Sequence, residues 1–322
     1  MIFVMLLRCD FRKLGKLGAR MIAIFLGCSL TLAIGFFVGY PLFVNVLGGA
    51  DKTWAAVSAL YASWVGGSAN MAAMQAALPV DAGAYSCALA LDTVCYSVWI
   101  ALLLLAVRYS KKWNNAVKAD TSKLDAVAAA ANAEVAKDKK NATSGDWIFL
   151  IGLSLLVSAL SQIVGSAINS GLSSVGLSMF DAGTCTTVFV TVLGLICAVT
   201  PLGKLPAVEE LSNIYLYAVV SLLASTASLG DLISAPMWVV YGAFVLVLHV
   251  VLMFLLSKLF HWDLCMVSTA SLANIGGSAS APIVATAYDA SFAGIGVLMG
   301  VLGAAIGNFC GLGMGAILQM FT

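Results

Sequence analysis

Charge is scarce in this chain. Only 10% of its 322 residues are Asp, Glu, Lys or Arg, while 61% are hydrophobic, so too few polar side chains exist to coat a water-soluble surface of this size. The composition therefore reads as an all-α, polytopic membrane protein. The 16 Lys and Arg against 15 Asp and Glu leave a net charge of +1. The basic residues sit in short segments between apolar runs, not in a stripe interleaved with aromatics, which excludes nucleic acid as a partner. Eight cysteines occur without a C-x-x-C pair, and Cys28, Cys87, Cys95, Cys197 and Cys310 fall inside apolar runs. They read as buried thiols, not as a disulfide framework or a zinc site. The sequence has no G-x-S-x-G elbow, no H-E-x-x-H motif and no paired carboxylates on a helix, so it is not read as an enzyme and no catalytic residue is assigned.

What is abundant is apolar length. Continuous runs extend over Met21–Val44, Gly83–Val107, Trp147–Asn169, Thr184–Thr200, Asn213–Leu229, Pro236–Leu256 and Phe292–Phe321, each near or above the roughly 17 residues a helix needs to cross the hydrocarbon. Met1–Leu7 is apolar but too short to span. It runs straight into Arg8, Arg12, Lys13, Lys16 and Arg20, the reverse of the charge order in a secretory signal.

Two short segments stand out. "WVGGSANMAAMQAAL" begins at Trp64 and "NIGGSASAPIVATAY" at Asn274, 210 residues later. Over Gly66–Ala77 against Gly276–Ala287 five of twelve positions are identical, four of them consecutive, and a long apolar run precedes and follows each segment. An internal duplication explains this order. It divides the chain into a membrane repeat over 1–110, a charged linker over 111–146 and a second membrane repeat over 147–322. The second repeat has three runs before Pro236–Leu256, whereas the first has only Met1–Leu7 before Met21–Val44. The first repeat is thus expected to lack two spans and most of a third.

Orientation follows from the basic loops. Lys and Arg accumulate on the cytoplasmic side, which places the Arg8–Arg20 cluster, the linker, Lys204 and Lys258 there. The Asn141-Ala142-Thr143 sequon in that linker is then expected to carry no glycan. If each Gly-Gly segment crossed completely, three crossings would separate Arg20 from the linker and leave one cluster outside. Re-entry on the same side resolves the parity and gives the two repeats opposite orientations. About eleven residues on either side of the glycines make limbs of roughly 16 Å, half the hydrocarbon thickness. The glycines become hairpin tips, where the backbone turns tightly and must be satisfied by protein or by a water-filled cavity. The alternative is that Gly-Gly is a close helix-packing surface.

Two opposed tips near the midplane would carry chemistry. Limbs beginning at Ser68 and Ser278 present helix N-termini to an anion, and limbs ending near Val65 and Ile275 present carbonyls to a hard cation. The candidate binding residues are Gly66, Gly67, Ser68, Asn70, Asp92, Asn274, Gly276, Gly277, Ser278, Ser280 and Asn308, with a sodium ion expected near Asn70 and Asn274. No carboxylate lies in either tip, so neutral oxygens favour cation coupling over proton exchange. Asp92 is the nearest intramembrane carboxylate. His249 reads as a neutral packing histidine. Asp51, Asp81, Asp231 and Asp289 read as hydrated or capping residues at span ends.

The run "LLRCDFRKLGKLG", then "WVGGSANMAAMQAAL", the charged linker and "ANIGGSASAPIVATAY" together resemble the family termed domain of unknown function 819, over essentially the whole chain. That family is similar in layout to secondary transporters such as the bile acid–sodium symporters, sodium–glutamate symporters and 2-hydroxycarboxylate transporters. The resemblance implies inverted repeats, a substrate-carrying core and elevator-type movement. It also implies further apolar sequence before the position of Met1. The expected function is secondary active transport of a small solute by alternating access in a bacterial-type plasma (inner) membrane, with sodium-coupled symport of an organic anion as its more specific form. Its partners are a small solute and the bilayer, a homodimer is left open, and no organic cofactor is expected. The rival expectation is a membrane sensor or assembly protein that keeps the fold without transporting.

Overall fold

The computed structural model describes residues 1–10, 12–122, 124–135, 142–174, 181–225 and 235–322. Among these residues the chain forms thirteen α-helices and no strand. They are α1 (Ile2–Leu7), α2 (Gly18–Leu47), α3 (Ala50–Gly66), α4 (Ser68–Ala77), α5 (Ala82–Ala106), α6 (Ser110–Val117), α7 (Leu124–Val135), α8 (Ser144–Ser174), α9 (Ala182–Ala198), α10 (Val208–Ser225), α11 (Ala235–Phe260), α12 (Leu264–Tyr288) and α13 (Ala293–Leu318). Among the described residues five segments are long and apolar enough to cross a membrane: Gly18–Leu47, Ala82–Val117, Ser144–Ser174, Pro236–Phe260 and Ala290–Phe321. On α2 the exposed residues Leu26, Leu30, Ile34, Phe37 and Leu42 recur at helical spacing. Such a stripe is stable facing lipid and a liability facing water.

Two expected spans are offset from the helices found. α9 has the expected 17 residues but lies two positions earlier, at Ala182–Ala198, and α10 begins ahead of Asn213, at Val208, with Glu209 and Glu210 in its first turn. The expected run to Leu229 passes beyond the described part of α10, and Asp231 and the Asn141 sequon also lie outside the described residues. The helix starts follow their caps. Asp81, Asp181 and Asp263 each accept a hydrogen bond from the backbone N–H three residues on, at 2.9, 2.7 and 3.0 Å. A cap of this kind contributes about 1 kcal/mol.

Packing is set by glycine. α2 and α11 run antiparallel because Gly27, Gly35 and Gly39 face Trp262, Val245 and Tyr241, where an added Cβ would fall 2.8–2.9 Å from those side chains. α13 carries a longer stripe: Gly296, Gly300, Gly303, Gly307, Gly311 and Gly315. Its first half lies on residues 277–282 of α12, and its second half on α3 and α4. Gly311 touches both Ala62 of α3 and Met74 of α4, while Gly315 faces Ser58 and Trp54 of α3 and Leu78 just after α4. α3 and α4 therefore lie side by side along one stretch of α13.

A second group of helices, α1, α8, α9 and α10, has its own apolar core around Phe3, Val4, Leu7, Leu150, Val190 and Leu211. It joins the first group through α9, where Gly183 sits against the Ala76 and Ala77 carbonyls at the end of α4. The linker helices α6 and α7 cap the end of the bundle where α2 starts and α12 begins. Arg20 pairs with Asp120 at 2.9 Å and donates to the His261 carbonyl at 2.7 Å, Trp113 donates to the Trp262 carbonyl, and Asn132 donates to Ser291. Hydrogen bonds from Ser122, together with Arg20, hold the Asp120 carboxyl down at about 2, so this contact is ionised throughout the neutral range.

Candidate functional site

The site is built from two backbone interruptions. α3 stops at Gly66 because Gly67 takes φ 92°, ψ 171°, and α4 restarts at Ser68. In α12 the same position of the second Gly-Gly-Ser-Ala segment, Gly277, takes φ 68°, ψ −163°. Both conformations are disfavoured for any residue with a Cβ. The two interruptions touch. A Cβ built on Gly67 would lie 3.7 Å from Gly277 Cα, and one on Gly277 would lie 3.6 Å from the Gly66 carbonyl oxygen.

The two breaks are approached from opposite ends of the bundle. Tyr40 near the end of α2 bonds Thr53 near the start of α3, and Tyr61, further along α3, reaches back to the Ser29 carbonyl. α3 thus starts at the end of α2 and runs toward its beginning. α12 instead starts beside the Arg20 end, where His261 and Trp262 meet the linker. Within α12, Ser268 and Tyr288 lie 3.1 Å apart through their hydroxyls. Twenty positions of unbroken helix would separate them by about 30 Å.

Asp92 of α5 is buried against the first break. It accepts Trp64 Nε1–H at 2.9 Å and the Ser63 hydroxyl at 3.2 Å, and Ser68 also hydrogen-bonds to it. One carboxylate therefore holds residues before and after Gly67. Replacing it with Asn would turn an amide NH2 toward donors that need an acceptor. Asp92→Asn is expected to cost about 1–3 kcal/mol, read as a lower unfolding temperature in detergent.

Asn70, one turn past the break, is fully buried. Its Nδ2 donates to Asn308 Oδ1 at 2.9 Å and to the Ala304 carbonyl at 3.2 Å, and Asn308 in turn donates to Thr191 of α9 at 3.0 Å. Among the described residues Asn70 Oδ1 has no hydrogen-bond partner. It faces Gly66: a Cβ there would lie 2.5 Å from both Asn70 Oδ1 and the Gly303 carbonyl oxygen. Two oxygens thus converge beside the break.

Asn274 behaves differently. Its Oδ1 accepts from Ser29 at 2.6 Å, and its Nδ2 donates to Ala270 O at 2.9 Å and Phe25 O at 3.3 Å. Its amide ties α12 to α2, and its oxygen is already engaged. Ser280 donates to the Gly276 carbonyl across the second break at 2.6 Å. Pro282 has no N–H to return to the Ser278 carbonyl four residues earlier. The Ser278 hydroxyl accepts a hydrogen bond from the Arg8 guanidinium.

Ten of the eleven sequence-derived residues therefore gather around the two breaks, and Asn274 faces α2 one turn away. Arg8, Thr191, Ser63 and Trp64 also belong to the region, and the sequence reading did not select them. In sequence Arg8 reads as one of a basic cluster, and its position depends on how α1 docks, for which no local signal exists. The α13 stripe did carry a signal, since its glycines recur every three or four residues.

His249 lies in a closed chain of polar groups. Thr31 donates to the Cys28 carbonyl at 2.8 Å, so its oxygen accepts from His249 Nδ1–H at 2.7 Å. His249 Nε2 then accepts from Ser271, 2.8 Å away, which accepts from Trp99. A neutral imidazole satisfies every member of that chain.

The sequence matches the family model described as Protein of unknown function (DUF819) over residues 1–321. No curated protein and no solved structure matches it.

Proposed function

The chain belongs to the DUF819 family, and from that premise and the paired glycine breaks we propose that it is a secondary transporter of a small organic anion, coupled to a cation such as sodium. In this reading α3–α4 and α12 are re-entrant hairpins of two inverted repeats, entering from opposite faces of the membrane and meeting at Gly67 and Gly277. The shared contacts of Ala62 and Met74 with Gly311, and the Ser268–Tyr288 contact, support it. The observation that carries the proposal is the contact between two non-helical glycines flanked by buried polar groups, one of them the unpartnered Asn70 oxygen. Irregular backbone at membrane depth is tolerated where it lines a site.

Counterflow in proteoliposomes tests the reading. A transporter exchanges internal for external labelled solute, whereas a sensor with the same fold binds without exchange. Absence of exchange for every solute that stabilises the protein would overturn the proposal. The cation part has its own test. Asn70→Ala is expected to weaken the sodium response about five- to 150-fold, corresponding to roughly 1–3 kcal/mol, while Asn274→Ala chiefly lowers stability because its oxygen already has a partner.

Topology gives a third expected result. Single cysteines at Lys52, beside the first hairpin mouth, and at Ser291, beside the second, should label from opposite sides, with Lys112 labelling from the same side as Ser291. Labelling of Lys52 and Ser291 from one side would contradict the inverted arrangement.

A further inference from the structure

Arg8 hydrogen-bonds to a tip, and the ion pair that the described residues offer it answers its charge weakly. Its guanidinium donates to Ser278, the first residue after the second break. Asp10, two residues away, does not serve it: Oδ1 of Asp10 accepts from Arg12 N and Nε, and Oδ2 accepts from Arg12 Nη2 at 2.8 Å. Asp92 is committed to Ser63, Trp64 and Ser68 at the other tip. The carboxylate that does approach Arg8 is Glu209 of α10, at 3.5 Å and with its side chain 70% exposed, whereas that of Arg8 is 21% exposed. A largely desolvated guanidinium is costly without close, well-oriented compensation, and a single long contact to a solvated Glu is poor compensation.

Arg8 is also held firmly. α1 buries Phe3, Val4, Met5, Leu6 and Leu7 to 3% exposure or less, and Gly194 and Gly203 admit the Leu6 side chain and the Leu7 carbonyl at close range. The segment that carries Arg8 is therefore a packed support.

We infer that Arg8 recognises the carboxylate of the transported solute, with the Ser278 hydroxyl marking where one of its oxygens sits. This rests on the transporter reading and names its substrate class. A guanidinium matches a carboxylate in shape and offers two parallel N–H donors. A phosphate dianion would crowd two negative charges onto this single cation, whereas each carboxylate group brings one, so a carboxylate is the better match. Arg8 belongs to the helix group around α9, while Ser278 belongs to the broken α12, so a carboxylate held between them would join the two groups.

The test uses the full chain in detergent, with acetate, succinate and citrate as probes and acetamide and succinamide as their neutral counterparts. Carboxylates should raise the unfolding temperature and amides should not. Arg8→Gln should lose this response by about 30-fold or more in apparent affinity, Arg8→Lys should keep part of it, and Glu209→Gln should retain it. Equal stabilisation by amides, an unchanged response in Arg8→Gln, or no response of the parent to any carboxylate would each overturn the assignment. Continued counterflow of another solute would show that the transporter reading survives that failure. If Arg8→Gln does not fold, phenylglyoxal modification of Arg8 in the parent decides. Protection by succinate but not by succinamide supports the assignment, and equal modification refutes it.

Discussion

Gly300→Ala should destabilise the protein by about 3 kcal/mol or more, at or beyond the upper end for overpacking by one methyl group. The added Cβ would sit 2.3 Å from both Ser278 Cα and Ser278 N and 2.7 Å from the Gly277 carbonyl carbon. All three are backbone atoms, so no rotamer change relieves the clash, and either α13 or the second tip must move. Gly313 of the same helix is the control, because nothing lies within 4 Å of its Cβ position. There, Ala should be neutral or stabilise by up to about 1 kcal/mol through helix propensity alone. Thermal unfolding of the two variants in one detergent gives the comparison. Equal behaviour would show that α13 does not clasp the tip.

Gly67→Val and Gly277→Val should abolish solute exchange while leaving most of the helix content in place. The reason is conformational more than spatial. A Cβ at either position meets its neighbours at 3.6–3.7 Å, ordinary contact, but the φ values of 92° and 68° are ones a β-branched residue does not tolerate. Relieving that strain moves the chain at the point where the two breaks touch. Gly49, at φ 94° with nothing within 4 Å, separates strain from site. Gly49→Val should cost roughly 1–3 kcal/mol of backbone strain and retain exchange. Loss of exchange in all three variants to the same degree would make the glycines structural only.

Much of this was legible in the sequence, because the signal was local. Paired glycines in an apolar run with matching order in both halves placed the two interruptions, and apolar length placed the long helices. The breaks needed no tertiary information, since only glycine takes those backbone angles without strain. Asp92 reads in sequence as an intramembrane carboxylate of the ion or substrate pathway, with a structural hydrogen bond as the alternative, and the structure places it beside the first break, bonded to Ser63, Trp64 and Ser68. The rest depended on which faces meet. Asn70 and Asn274 look equivalent on paper, yet Ser29 satisfies one oxygen and leaves the other open, and Ser29 is 245 residues from Asn274. Arg8 reads as one of a basic cluster until the docking of α1 on α9 carries it to Ser278. α9 has the length of its apolar run but starts two residues earlier, where Asp181 caps it, and α10 starts at Val208, ahead of Asn213, with two glutamates in its first turn.

The contact between the two breaks is the claim on which everything else rests, and one cross-linking measurement addresses it. In a background with the eight native cysteines replaced, cysteines at Ser68 and Ser278, each one residue past a touching glycine and outside its strained backbone, would lie within reach of a short bis-methanethiosulfonate linker, which joins them through two reducible disulfides. Trypsin cleavage in the lysine-bearing linker then separates the two halves unless the cross-link joins them. The predicted result is a band of intact size after cross-linking that splits into two on reduction. Two separate halves before and after reduction alike, from a chain that is otherwise folded, would contradict the account.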